Sequence, residues 1–142
     1  MNNNEIKIPK RILGTLLNSL SSGVVPRFGL EYIAIGRKSE IGALVGDLEF
    51  IRDGGSTFRF VIGRYGSGKS FLMQLLRSHC LERGFITADA DLSPERRLAG
   101  TKGQGIATFR ELIGNLASKS SPEGGALMQI IARWLMGLQS TL

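Results

Sequence analysis

Apolar residues return at helical spacing through Pro9–Ser21, where Ile12, Leu13, Leu16, Leu17 and Leu20 make one stripe and Gly23 marks the stop. Pro9 suits an early helical position, and the stripe predicts a packing helix. Residues 24–35 break the period with Pro26 and Gly29 and read as extended or irregular, with an apolar cluster at Tyr32, Ile33 and Ile35. A second helix is predicted from Ser39, as N-cap, through Ile41, Leu44, Val45, Leu48 and Ile51, until Gly54 and Gly55 end it.

The period then changes. Thr57–Ile62 (TFRFVI) is a short aromatic and branched run that predicts a buried strand leading into Gly63, Gly66 and Gly68. Lys69–Arg83 is helical again, with Leu72, Leu75, Leu76 and Cys80 on its apolar side and Gly84 just past its end. Phe85–Ala88 reads as a second strand. Strand, loop, helix and strand in this order predict one βαβ unit of a parallel sheet with a right-handed crossover. The chain from Asp91 to Gly105 is polar, with a helix start expected at Ser93-Pro94-Glu95. Two further helices, Ile106–Ala117 and Gly125–Leu138, flank the loop SKSSPEGG.

Where the predicted strand meets the predicted helix, Gly63-x-x-x-x-Gly68-Lys69-Ser70 matches the phosphate-loop pattern at every fixed position. Each residue type has a physical reason to be there. Glycines tolerate positive φ and leave backbone N–H groups free to point inward, which makes an anion nest at the positive end of a helix. Lys69 would reach the β and γ phosphates, and the Ser70 hydroxyl would ligate Mg²⁺. The candidate nucleotide-binding residues are therefore Gly63, Arg64, Tyr65, Gly66, Ser67, Gly68, Lys69, Ser70 and Phe71, with Ser70 as the metal ligand.

Other features carry less. Asp89 and Asp91 follow the second predicted strand and read either as metal or ribose ligands or as solvated acids. Arg96, Arg97 and Lys102 make SPERRLAGTKGQG a basic loop, open to DNA, to a neighbouring subunit or only to water. Gly103-x-Gly105 lacks a third glycine and a preceding strand, so it is no dinucleotide fingerprint. His79 has no partner at ligand spacing and reads as a helix-surface histidine. The chain of 142 residues is 42% hydrophobic, enough for a real core. Its net charge of +6 permits an acidic partner such as nucleic acid without demanding one. A single cysteine, Cys80, excludes an internal disulfide and falls where a buried thiol is usual, which suits a reducing cytoplasm. No run approaches the length of a membrane span.

GLEYIAIGRKSEIGALVGDLEFI, FRFVIGRYGSGKSFLMQLL and FITADADLSPERRLAGTKGQGIATFRELIGNL resemble the N-terminal part of the ATP-binding proteins of bacteriophage exclusion (BREX) systems, the BrxC/BrxD group. The resemblance runs from about Ile12 to Trp134, and GRYGSGKS and DADLSPERRL are its most specific pieces. That family is similar to AAA+ ATPases of the origin-recognition and Cdc6 type. The resemblance implies an α/β P-loop NTPase fold, a parallel sheet with flanking helices, preceded here by an N-terminal helix. It implies ATP and Mg²⁺ as cofactors, and DNA, other phage-defence proteins and further copies of the chain as partners. It also places Gly36 and Arg37, with Glu40, in a nucleotide-proximal Gly-Arg-x-x-Glu element near the adenine, although a salt-bridged helix start explains the same residues.

One departure bears on mechanism. Hydrolysis needs carboxylates that hold Mg²⁺ and orient water, normally Asp-Glu ending an apolar strand well beyond the phosphate loop. FITADAD comes too soon for that, and MQIIARWLMGLQSTL is a helical pattern. The expectation is an incomplete sheet, with 1–35 as a helical and extended lead-in and 36–142 as the first portion of an ATP-binding domain. No residue is expected to be catalytic. Such a sheet would expose apolar edges, so self-association is expected. Two functions fit: an ATPase-type component of a phage-defence system working with DNA-directed partners, or a nucleotide-gated DNA- or protein-binding switch with little turnover. A small P-loop kinase fits less well, because no arginine-bearing phosphate lid or acceptor site is recognisable.

Overall fold

In a computed structural model, which describes residues 7–26, 28–94, 96–99 and 104–139, the helical stripes become helices and the two predicted strands do not become a sheet. The chain divides into two compact units, residues 1–79 and 80–142.

In the first unit, α1 spans Lys10–Ser21, and Pro9 lies just outside it, its carbonyl accepting from the Leu13 N–H. Gly23, at φ +68°, ends the helix by donating to the Leu20 carbonyl. Only Leu16 of the predicted stripe is fully buried, while Leu13, Leu17 and Leu20 face water. Gly29 lies against α1 so closely that a Cβ there would strike Ile12 and come within 3.3 Å of Leu16. The segment expected to be irregular contains one helical turn, α2, Leu30–Ile33, with Leu30 buried.

Helix α3 covers Lys38–Arg52, one residue earlier than expected. Arg37 stands at the N-cap without a side-chain cap, and Ser39, the predicted cap, instead donates its hydroxyl to Glu40 at 2.8 Å. A cap must precede the helix, and the turn at Gly36, φ +77°, brings the helical backbone in before Ser39. Helix α4, Lys69–Glu82, meets α3 along an apolar seam of Ile41, Leu44 and Val45 with Leu72, Leu75, Leu76 and His79. Leu72 and Leu75 are buried there, each contributing about 1.5–3 kcal/mol.

The parallel α/β sheet is the expectation that fails, and with it the P-loop NTPase architecture. Among the described residues there is no strand. Thr57–Ile62 is open chain, with Phe58, Phe60 and Ile62 at 78%, 79% and 91% exposure where burial was expected. Aromatic and branched residues favour strands because they pack against paired neighbours. Among the described residues no strand pairs with this segment, so that preference has nothing to act on. The segment's main tie is Arg59, which donates from Nε and, at 2.8 Å, from Nη2 to the Asp47 carboxylate on α3.

In the second unit, α4 ends with buried Cys80 and Leu81, and Gly84, φ +82°, turns the chain. The other predicted strand, Phe85–Ala88, is reduced to one antiparallel bridge, in which Thr87 and Ala117 exchange hydrogen bonds of 3.1 and 2.8 Å. Helix α5, Gln104–Gly114, stops before the predicted Ala117 because the chain is taken into this bridge. The Gly125 and Ala126 N–H groups return to the Gly114 and Leu116 carbonyls, burying Ala117 and Ala126 completely. The bridge between Ser118 and Ser121 tightens the intervening loop, and α6 follows over Leu127–Gln139 with no buried residue. Ser93 does not start a helix: its N–H and the Arg96 N–H bond each other's carbonyls at 3.1 and 3.0 Å in a tight turn.

Candidate phosphate-binding site

The glycine-rich loop is closed by bonds between near neighbours in sequence. The Ser67 N–H donates to the Arg64 carbonyl at 3.2 Å, closing a turn over Arg64–Ser67. Gly66 and Gly68 take φ of +77° and +82°, values that side-chain-bearing residues adopt only with strain. Gly63 is needed for space, since a Cβ there would meet the Ser67 hydroxyl at 2.5 Å. Helix α4 begins immediately at Lys69, so the loop sits at its N-terminus, where free N–H groups and the helix dipole favour an anion.

Lys69 folds back over this loop. Its ammonium donates to the Gly63 and Arg64 carbonyls, both at 2.9 Å. Ser70, second in α4, is exposed, Phe71 is half-buried, and Arg64 and Tyr65 stand out in solvent. A hydroxyl at that place suits a hard cation that also binds phosphate oxygens. Among the described residues no group of three His, Cys, Asp or Glu side chains could hold a metal unaided.

Arg37 joins the loop from 30 residues away. Its Nη2 donates to the Ser67 carbonyl, and the guanidinium packs on Gly68, where a Cβ would lie 2.9 Å from Nη2. Its Nη1 is 3.6 Å from Glu40. The Ser39 hydroxyl, then the Glu40 backbone N–H, and more weakly Arg37, hold the Glu40 carboxyl below the usual carboxylate range. The sequence placed Gly36, Arg37 and Glu40 together, but no local signal linked them to Ser67. Gly36 has no contact within 4 Å of where its Cβ would stand.

Beside Arg37 opens a cleft of about 470 Å³, lined by Ser39, Glu40, Ala43 and Leu44 of α3, by Arg59–Ile62 and by Leu72. Its size and mixed lining suit a small organic ligand. Asp89 and Asp91 belong to the second unit: the Asp89 carbonyl accepts from Asn115, just past α5, at 2.9 Å, and the Asp91 N–H donates to Glu111 of α5 at 3.3 Å. Arg96 of the basic loop pairs with Glu111 at 2.7 Å. Lys102 and Gly103 lie outside the described residues.

A helix headed by positive-φ glycines, with its first lysine turned back onto the Gly63 and Arg64 carbonyls, defines a candidate phosphate loop. A family model, that of the BREX system ATP-binding protein BrxC/D, matches residues 8–142, and the chain belongs to that family of ATP-binding BREX proteins. No curated protein and no solved structure matches it. No described helix is long and apolar enough to cross a membrane.

Proposed function

We propose that the chain binds ATP through Gly63–Phe71, a Walker A loop, as part of an ATPase-type component of a BREX phage-defence system in the cytoplasm. The observation that carries this reading is the loop itself: Gly66 and Gly68 at positive φ, at the head of α4, with the Lys69 ammonium on the Gly63 and Arg64 carbonyls. Lys69 would exchange its carbonyl partners for phosphate oxygens. The backbone N–H groups of the loop would take the remaining charge. Ser70 would complete the shell of a Mg²⁺ ion that arrives with the nucleotide, and this ion would neutralise phosphate charge. The cleft lined by Arg37 has room for the base and ribose, and Gly36 precedes Arg37 in the chain. DNA-directed partners are in keeping with the net charge of +6.

A second reading, a nucleotide-gated switch with little turnover, is favoured by the same lysine. Because Lys69 is bonded to Gly63 and Arg64, nucleotide would draw its side chain off these carbonyls on binding. Titration with a fluorescent ATP analogue tests the shared premise. Lys69→Ala is expected to weaken binding at least about a hundredfold, the loss of a charge-assisted contact to phosphate. Unchanged affinity would remove both readings. If binding is lost, ATP turnover and ATP-dependent partner binding by the wild type then separate the enzyme from the switch.

A further inference from the structure

The two cations of the loop do different work. Lys69 holds the carbonyls of Gly63 and Arg64 from inside the chain segment that forms the loop. Arg37 holds the carbonyl of Ser67 from another element, at the start of α3. A trans peptide group is planar, and its C=O and N–H point in opposite directions. Whatever fixes the Ser67 carbonyl therefore also fixes the direction of the Gly68 N–H, the last donor of the loop before α4. That peptide is otherwise easily turned, because it lies between glycine residues at +77° and +82° with one serine in between.

The guanidinium is itself fixed on two sides. One nitrogen is on Ser67 and the other faces Glu40, while Ser39 holds the Glu40 carboxylate in place. A planar fork serves this bridging geometry, and a lysine ammonium does not reproduce it. The close packing on Gly68 adds a reason for glycine there beyond its φ, since a side chain would displace the guanidinium.

We propose that Arg37 is a positioning residue for the phosphate loop: by holding the Ser67 carbonyl it aims the Gly68 N–H at the bound polyphosphate, and it does not act as a contact to the base. The inference rests on the phosphate-binding reading above. It makes Arg37 matter for a ligand that has no base at all.

Inorganic tripolyphosphate supplies such a ligand. Binding of tripolyphosphate and of ATP, each with Mg²⁺, is measured calorimetrically on the 142-residue chain and its variants at about 0.15 M salt, where distant exposed charges are screened. Arg37→Ala is expected to weaken both ligands by the same factor, about tenfold, with the far-ultraviolet circular dichroism of the wild type retained. Arg37→Lys keeps the charge and loses the fork, so it is expected to recover only a small part of the loss and to serve as the test if the alanine variant does not fold. Weaker ATP binding with unchanged tripolyphosphate binding would make Arg37 a base contact and overturn the proposal. Full recovery by lysine would overturn it too, leaving only a charge effect. If the wild type binds neither ligand, the phosphate-binding reading itself fails, an outcome distinct from an effect confined to Arg37.

Discussion

Residues 57–62 and 63–82 are consecutive, share the first unit for most of their length and were equally plain in the sequence, yet the predicted strand does not form while the predicted helix does. The loop and α4 close through bonds that span a few residues: Ser67 to Arg64, Lys69 to Gly63 and Arg64, and the helix ladder itself. Thr57–Ile62 has no such option. A strand's backbone groups need a neighbour brought in from elsewhere, and here the Phe58 and Phe60 rings stay exposed, edge to face with each other at 4.8 Å. Elements that satisfy themselves locally survive without a sheet, whereas elements that need a partner become an exposed apolar surface.

The largest expected effect comes from removing the conformational freedom on which the loop depends. Gly68→Val forces a branched residue to φ +82° and puts its Cβ 2.9 Å from Arg37, at a strain cost of about 1–3 kcal/mol. ATP binding is expected to fall below detection in titration while α4 helicity is kept. Retained binding would mean that the loop geometry is not what grips the nucleotide.

A smaller effect is expected on the other side of the comparison. With Phe58, Phe60 and Ile62 exposed, the wild-type chain is expected to self-associate. In sedimentation velocity, Phe58→Asp with Ile62→Asp should shift the chain towards monomer and leave thermal stability within about 0.5 kcal/mol, as surface changes usually do. A wild type that sediments as a stable monomer at all concentrations would contradict the open-strand description.

The smallest effect concerns the tether. Arg59, by hydrogen bonding first and by charge second, holds the Asp47 carboxyl below its ordinary value of 3.8. A depressed native value means that the pair stabilises fully above the unfolded carboxyl's titration, near pH 4, and that this contribution is lost as pH falls through the lower native one. The Arg59 Nε–H resonance should therefore stay constant down to about pH 4 and move only below it. A midpoint at or above the ordinary value would mean that residues 57–62 are not tied to α3.

The five long helical stripes, the stops at Gly23, Gly54 and Gly84 and the phosphate-loop pattern were all legible, because helix periodicity and glycine turns are encoded in neighbours along the chain. The end of α5 was not, since the Thr87–Ala117 bridge that stops it joins residues far apart in sequence. Nor was the role of Ser39, because which residue caps α3 depends on how the Gly36 turn enters it. By itself the sequence determined the long helices and, through GRYGSGKS and the stretches around it, membership of the BREX family. Only the tertiary structure decided that TFRFVI stays unpaired and that Arg37 reaches Ser67. Strand pairing and a contact across 30 residues depend on which segments meet in space, and no residue carries that information alone.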